Sequence, residues 1–201
     1  MNRLDLGSGH LSPHFIGAWQ LDPVPICDDI VSFFEDHHAK QRPGATAGGQ
    51  NADVKVSTDI IVHPAELSAP GFEPVTAYID LLFDCYRDYL VQWPFLKTFA
   101  SELDVPSFNI QRYLPGGHFQ QVHTERASLA SLHRVFAWMT YLNDVDDGGS
   151  TYFTHYDLDI RPRAGKTLIW PAEWTHAHAG QVLNSGVKYI VTGWMHFPFE
   201  K

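Results

Sequence analysis

The second half of the chain contains seven short runs rich in β-branched and aromatic residues, and this feature constrains the fold more than any other. Turn-forming clusters separate the runs, among them Asp146-Asp147-Gly148-Gly149 and Asn184-Ser185-Gly186. Short strands at this spacing are typical of a β-sandwich or a jelly roll. The runs are SFNIQRYL, FQQVH, LHRVFAWMTYLN, STYFTHY, LDIRP, KTLIWP and VKYIVTGWMHF.

The first half contains two stretches with helical periodicity. Ile26, Ile30, Phe33 and Phe34 recur at the 3.6-residue period of an amphipathic helix, and the apolar residues from Val75 to Leu90 do the same over a longer stretch. Between them, RPGATAGGQNAD predicts a surface loop and VKVSTDIIVHP a short strand. We therefore predict an α+β, mainly β fold: a jelly roll with N-terminal helices packed on one outer sheet face.

Length and composition favour one globular domain. The chain has 201 residues, of which 44% are hydrophobic and 18% charged, and these are ordinary values for a globular protein. A chain of this length buries roughly 70% of its unfolded surface, so it can form its own core. Within the domain we expect a helical support region at residues 1–104 and a jelly-roll core that carries the chemistry at residues 105–201.

Charge and hydropathy argue against two classes of partner. The net charge of −9 leaves no basic surface for nucleic acid. The longest apolar run, near VFAWMTYL, is too short to cross a membrane. Cys27 and Cys85 form no CxxC pair, and the first residues lack the apolar core of a signal peptide. We therefore expect reduced thiols, a cytoplasmic location and neither nucleic acid nor membrane as a partner; the oligomeric state stays open.

The triplet His123-Thr124-Glu125 indicates a metal site. Residues two apart on a strand point to the same face, so this imidazole and this carboxylate can bind one ion. A second histidine, His176 or His178 downstream, would complete a set of two histidines and one carboxylate. Such a set leaves three positions open on Fe(II) for a cosubstrate and O₂. In a His-rich chain the triplet alone is weakly specific.

Lys188 suggests what the cosubstrate is. It follows His178 by ten residues and lies beside Tyr189, Ile190 and Val191 on a strand with core-like composition. A cation on an inward face is costly unless an anion meets it, and a dicarboxylate would be such an anion. The alternative is a Lys188 that faces solvent on an edge strand.

Six groups of residues occur in order between about Phe108 and Phe197. The groups are Arg112-Tyr113 with Gly116 to Phe119; His123 with Glu125; Arg134 with Met139 to Asn143; Gly148 to Phe153; Pro162, Gly165 and Ile169-Trp170; and His178, Gly186, Lys188 and Trp194. Together they resemble the prolyl 4-hydroxylase-like branch of the Fe(II)/2-oxoglutarate dioxygenases. Each group alone is weakly specific, whereas six groups in one order and spacing are fairly specific.

The resemblance implies a double-stranded β-helix and a set of iron ligands. His123 and Glu125 correspond to the HxD/E ligands of the family. The family's ten-residue step from the distal histidine to the basic residue selects His178, rather than His176, as the third ligand. The implied cofactors are Fe(II), 2-oxoglutarate as cosubstrate and O₂, with ascorbate as an optional reductant.

The resemblance also implies residues that bind the cosubstrate. Lys188 corresponds to the basic residue that pairs with the distal carboxylate of 2-oxoglutarate. Tyr113 is a candidate for a hydrogen bond to that carboxylate. Thr192, four residues past Lys188 on the same strand face, is another.

The implied reaction is a hydroxylation that produces succinate and CO₂. The branch suggests a peptide or protein substrate, hydroxylated at a proline or a related residue. Two alternatives stay open: a small-molecule or free amino-acid hydroxylase of the same superfamily, and a cupin-like metal-binding module without 2-oxoglutarate turnover. Lys188 distinguishes the cupin-like module from the hydroxylases, because a cupin metal site does not require a residue that binds a dicarboxylate. Glu125 departs from the branch, in which Asp is commoner.

Overall fold

The computed structural model describes residues 1–7, 13–22, 24–46 and 48–198, and its core is two packed β-sheets. The strands are β1 (Asn2–Arg3), β2 (Gly17–Gln20), β3 (Arg42–Pro43), β4 (Thr58–Val62), β5 (Phe108–Tyr113), β6 (Phe119–His123), β7 (Arg134–Tyr141), β8 (Thr151–Phe153), β9 (Leu158–Ile160), β10 (Lys166–Pro171), β11 (His178–Gly180) and β12 (Lys188–His196). The α-helices that accompany them are α1 (Ile26–Asp36) and α2 (Glu73–Gln92). Short 3-10 helices span His38–Lys40, Pro64–Glu66, Pro94–Thr98, Leu129–Ser131 and Trp174–His176.

The strand pairs within the two sheets are antiparallel. The large sheet has the order β1-β2-β10-β7-β12-β5-β4-β3, and the small sheet has the order β6-β11-β8-β9. From β5 to β12 the chain alternates between the sheets, apart from the β8–β9 hairpin, as in a jelly roll. The predicted fold class is therefore confirmed.

The large sheet separates two hydrophobic cores, as the alternation along β12 shows. Ile190 and Trp194 face the inner core between the sheets. Tyr189, Val191 and Met195 face the outer core. Because side chains alternate along a strand, Lys188 and Thr192 share the inner face with Ile190 and Trp194.

The outer core is formed by the large sheet and the two helices. Leu82 and Tyr78 of α2 and Ile30 of α1 are fully buried there. The Tyr78 hydroxyl lies 2.8 Å from the Thr140 hydroxyl on β7, so the helix also makes a polar contact with the sheet. These contacts confirm that the N-terminal helices cover one outer sheet face.

The part of the chain before residue 105 also supplies strands. Of the eight strands in the large sheet, β1 to β4 come from this region and lie towards the two edges of the sheet. Only β4 was expected, within VKVSTDIIVHP. β1 and β3 have two residues each, which is too short for an alternating pattern, and they form because a neighbouring strand offers free backbone groups. The sheet thus extends beyond the region predicted to contain it.

The remaining expectations concern the loop, the cysteines and the membrane. The loop between the helices carries a bridge between Thr46 and Gly49, and Ala47 of this loop lies outside the described residues. Cys27 and Cys85 are free and buried, and burial raises their pKa values to about 11 and about 12. In the described ranges, no helix is both long and apolar enough to span a bilayer.

Candidate active site

Two neighbouring strands of the small sheet bring the predicted metal ligands together. β6 ends at His123, β11 begins at His178, and the two residues are paired across the strands. Glu125 Oε1 lies 3.7 Å from His123 Nε2 and 3.4 Å from His178 Nε2. One ligand atom from each of the three side chains lies within 4.8 Å of the others. No other trio of His, Cys, Asp or Glu in the described ranges has this geometry.

Backbone carbonyls orient both imidazole rings. His123 Nδ1 lies 2.8 Å from the carbonyl oxygen of Gln121, and His178 Nδ1 lies 2.9 Å from that of His176. A carbonyl only accepts hydrogen bonds, so each Nδ1 carries a proton and Nε2 is the ring nitrogen left to bind a metal ion. Both rings therefore present the free nitrogen to the place where Glu125 Oε1 lies.

The protonation states also suit a metal site. Burial, together with the nearby His178, lowers the pKa of His123 to about 4, so this ring is neutral at pH 7. Burial would raise the pKa of Glu125, but His178, His123 and the Trp194 N–H outweigh it and hold the pKa at about 2. Two imidazole nitrogens with one carboxylate are a donor set that fits Fe(II) and leaves positions open for other ligands.

Two residues whose roles the sequence left ambiguous contact Glu125, one at its far carboxylate oxygen and one at its backbone carbonyl. Trp194 Nε1 donates to Glu125 Oε2 at 2.5 Å. The guanidinium of Arg134 stacks on the Trp194 ring at 3.6 Å and donates to the Glu125 backbone carbonyl at 2.8 Å. Both residues occur in the sequence groups that resemble the family. A buried tryptophan is just as common in a hydrophobic core, so the sequence alone does not predict the contact between Trp194 and Glu125.

His176 lies outside the trio. It is buried, and its Nε2 donates to the carbonyl oxygen of His14 at 2.8 Å, which ties the segment before β2 to the segment before β11. Its backbone carbonyl orients His178, as described above. The structure thus brings His178, and not His176, together with His123 and Glu125.

Lys188 is buried, with 3% of its surface exposed, and it pairs with Tyr113 across β12 and β5. Its Nζ donates to the Gly149 carbonyl at 2.9 Å and lies 4.3 Å from the centre of the Tyr113 ring. No acidic side chain among the described residues forms an ion pair with Lys188, and burial lowers its pKa to about 8. The solvent-facing alternative for Lys188 is therefore wrong.

The other two predicted cosubstrate contacts have partners within the protein. The Tyr113 hydroxyl donates to Gln111 Oε1 at 2.7 Å, and burial raises its pKa well above the usual value. The Thr192 hydroxyl donates to the Trp138 carbonyl at 2.9 Å. Tyr113 is thus beside Lys188, whereas Thr192 lies further along the same face of β12. A hydrogen bond from Tyr113 to a cosubstrate would replace its bond to Gln111.

A buried ion pair beside Tyr113 was missed. Asp59 on β4 accepts from Lys55 Nζ at 2.6 Å, from the Ser57 hydroxyl at 2.7 Å and from Gln111 Nε2 at 3.1 Å. Gln111 Oε1 in turn accepts a hydrogen bond from the Tyr113 hydroxyl, so these residues form one hydrogen-bond network beside Tyr113. An aspartate on a strand that is otherwise apolar, four residues after a lysine, was the available signal.

Comparison with known proteins agrees with this geometry. The sequence model of the 2OG-Fe(II) oxygenase superfamily matches residues 108–196. Residues 108–196 are thus similar to the 2OG-Fe(II) oxygenase superfamily. The match includes the three candidate iron ligands and Lys188, and it confirms the resemblance found in the sequence. The similarity implies Fe(II), 2-oxoglutarate and O₂ as the reactants that the fold has to accommodate.

Curated relatives of this chain are prolyl 4-hydroxylases. The chain is 25% identical over 107 residues to the human prolyl 4-hydroxylase subunit alpha-1, and the match covers 48% of this chain and 20% of that protein. It is 27% identical over 115 residues to the probable prolyl 4-hydroxylase 9 of Arabidopsis thaliana, covering 44% and 40%. The chain thus spans about a fifth of the length of the human relative.

Solved structures of prolyl hydroxylases share the fold. The viral collagen prolyl hydroxylase of Paramecium Bursaria Chlorella virus-1, in its 2OG complex, superposes with a TM-score of 0.66 at 18% identity, covering 94% of this chain and 100% of that one. A prolyl-4-hydroxylase of Pseudomonas putida gives 0.67 at 18% identity, covering 94% and 95%. A Trichoplax adhaerens prolyl hydroxylase, in complex with a hypoxia inducible factor peptide fragment, gives 0.71 at 12% identity, covering 92% and 85%.

We predict that His178 and His176 differ sharply in their effect on metal binding. His178→Ala removes a ligand nitrogen and should weaken Fe(II) binding by more than about 100-fold, the upper end of what loss of an outer contact causes. His176→Ala keeps the backbone carbonyl and should still bind one equivalent of metal, within about tenfold of the wild-type affinity. Anaerobic equilibrium dialysis measures both. Loss of the metal in His176→Ala alone would contradict the assignment.

Proposed function

We propose that this chain is a 2-oxoglutarate- and O₂-dependent hydroxylase that acts on a proline, or a related residue, within a peptide or protein. One observation carries the proposal: the fold contains both the trio His123, Glu125 and His178 and, on the inner face of the large sheet, Lys188, a buried cation without an acidic partner among the described side chains. A metal site alone would fit many enzymes. A metal site together with a buried, unpaired cation fits a cosubstrate that both chelates and carries a second negative charge.

The setting of Lys188 supports a carboxylate as its partner. A buried charge is costly unless it is paired, and the Gly149 carbonyl engages only one of the three ammonium protons. Gly149 has φ +69, and a Cβ there would lie 3.3 Å from Lys188 Cδ, so the glycine lets the lysine stem pass. The distal carboxylate of 2-oxoglutarate would accept charge-assisted hydrogen bonds from the remaining protons.

The residues around the trio would hold the reactants and exclude water. Phe153 and Trp170 pack edge to face, and both contact the His178 ring, which fills the inner side of the site with apolar surface. Iron bound by the trio would supply the O₂ chemistry, in which 2-oxoglutarate yields succinate and CO₂ and the substrate gains a hydroxyl. The protein's own contribution is orientation of the ligands and a dry cavity.

The similarity to prolyl hydroxylases supports a peptide substrate. They are prolyl hydroxylases, and one of the solved neighbours holds a peptide fragment. A free amino-acid or small-molecule hydroxylase remains the alternative of the same chemistry. We also propose a cytoplasmic location, which the two buried free thiols support, and ascorbate as an optional reductant, which turnover with and without ascorbate tests.

We predict that Lys188→Ala weakens 2-oxoglutarate binding and leaves iron in place. Loss of a buried charge partner costs about 2–5 kcal/mol, so the dissociation constant should rise by about 30-fold or more. Fe(II) and then 2-oxoglutarate are added anaerobically to the apo protein while the weak visible metal-to-ligand charge-transfer band is followed. An unchanged affinity in Lys188→Ala would remove the clamp assignment. Absence of the band in iron-loaded wild type would favour the cupin-like module.

We predict that cosubstrate affinity falls with rising pH because of Lys188. Its pKa is lowered to about 8 by burial, so the charged form that attracts the carboxylate disappears above that pH. The affinity should drop by up to about tenfold per pH unit above about pH 8 and stay flat below it down to about pH 7. Calorimetry on Mn(II)-loaded protein measures this. Lys188→Arg is the control, because arginine keeps its charge and its curve should be flat.

We predict that a proline-containing peptide gains one oxygen atom for each 2-oxoglutarate consumed. Mass spectrometry of the peptide and a succinate assay measure the two products together. The same peptide with alanine in place of proline is the control and should be unmodified. Hydroxylation of free proline or another free amino acid, with the peptide untouched, would replace the peptide proposal by the small-molecule alternative.

A further inference from the structure

The proposed iron ligand Glu125 has more conformational freedom than an aspartate would have at this position. Glutamate has one more methylene than aspartate, about 1.5 Å of extra reach and one extra torsion. A carboxylate with this freedom can bind a metal through one oxygen or through both. Binding through both oxygens would occupy one of the positions that a chelating cosubstrate and O₂ need.

The two carboxylate oxygens of Glu125 have different partners. Oε1 points to the histidines, at 3.4 Å from His178 Nε2 and 3.7 Å from His123 Nε2. Oε2 accepts the indole N–H of Trp194 at 2.5 Å and has Arg134 Nη1 at 3.9 Å. One oxygen is thus directed to the metal position, and the other is engaged by the large sheet.

Trp194 is itself held in place. Arg134 stacks on its ring at 3.6 Å and donates to the Glu125 backbone carbonyl at 2.8 Å, so the three residues form a closed set of contacts. Trp194 lies on the inner face of β12, and Arg134 begins the neighbouring strand β7. An indole N–H has one direction and one proton, so it fixes Oε2 at a defined distance from the sheet.

We propose that Trp194, supported by Arg134, is a positioning residue that holds Glu125 in single-oxygen coordination and keeps a metal position open for the cosubstrate. The inference rests on the proposed metal and cosubstrate sites and is independent of which substrate is hydroxylated. It also explains why Glu125 occurs together with Trp194. The longer glutamate side chain reaches the indole, and the hydrogen bond to the indole restricts the additional side-chain torsion.

The test is a double-mutant cycle between Trp194 and Glu125, with 2-oxoglutarate affinity as the readout. Trp194→Phe keeps an aromatic ring and removes the N–H. In the Fe(II)-loaded protein it should weaken 2-oxoglutarate binding by about tenfold or more, while Fe(II) binding stays the same or tightens as Oε2 turns to the metal. In the Glu125→Asp background the same change should cost less than about threefold, because the shorter carboxylate does not reach the indole.

The matched control is Trp138→Phe. Trp138 is fully buried on β7, and its indole N–H has no hydrogen-bond partner among the described residues, so the chemical change is the same without the contact. Its 2-oxoglutarate affinity should equal that of the wild type. Thermal unfolding of each apo protein shows whether a variant is folded, and the visible spectrum of the Co(II)-loaded forms reports a change in coordination independently of 2-oxoglutarate.

The outcomes separate this inference from the proposed function. If wild type binds iron but no 2-oxoglutarate, the proposed function fails. If wild type binds 2-oxoglutarate and Trp194→Phe matches it in affinity and in Co(II) spectrum, only the positioning role fails. An equal loss from Trp194→Phe in the wild-type and Glu125→Asp backgrounds would also overturn it, because Trp194 would then act on the cosubstrate directly rather than through Glu125.

Discussion

The antiparallel pairing of β6 with β11 is the contact on which the site depends. It places His123 directly opposite His178, with Glu125 just beyond the end of β6. In an antiparallel pair, directly opposite side chains lie on the same face and within reach of one metal ion. A shift of the register by one residue would turn one imidazole to the other face of the small sheet and dismantle the trio.

The large sheet contributes two further residues to the candidate site. Its strand β12 carries Lys188 at one end and Trp194 near the other, both on the inner face. We propose that Lys188 pairs with the cosubstrate and that Trp194, which donates a hydrogen bond to Glu125, positions this carboxylate. The outer face of the same sheet is covered by α1 and α2, and this covering buries the strand that presents both residues. The helices thus support the chemistry without contributing a ligand.

Charge in this interior is handled in two ways. Lys55 and Asp59 form a buried ion pair, and Ser57 and Gln111 donate further hydrogen bonds to the Asp59 carboxylate. Lys188 has only a backbone carbonyl and the face of Tyr113 among the described residues. A buried ion pair compensates its own charges, whereas a buried cation without an acidic partner favours an anionic ligand. This contrast between the two buried lysines supports the proposal that Lys188, rather than Lys55, binds the cosubstrate.

The sequence by itself determined the strands, the helices and the candidate iron ligands. All seven β-rich runs contain a strand, and α1 and α2 lie where the 3.6-residue period indicated. The HxE triplet with a distal histidine was readable from motif spacing, but Glu125 lies beyond the end of β6, so the predicted strand alternation does not explain its position. β11, which is the three-residue segment HAG, and the short edge strands of the first half lacked such a signal.

The tertiary structure decided which of the candidates meet. Whether Lys188 faced the core or solvent depended on β5, β7 and the helices that surround β12, which no window of sequence contains. The bond from Trp194 to Glu125 joins residues 69 apart in sequence, and Gln111 on a neighbouring strand links the Lys55–Asp59 pair to Tyr113. Hydrogen bonds of this kind depend on distance and direction in space, so sequence spacing does not encode them.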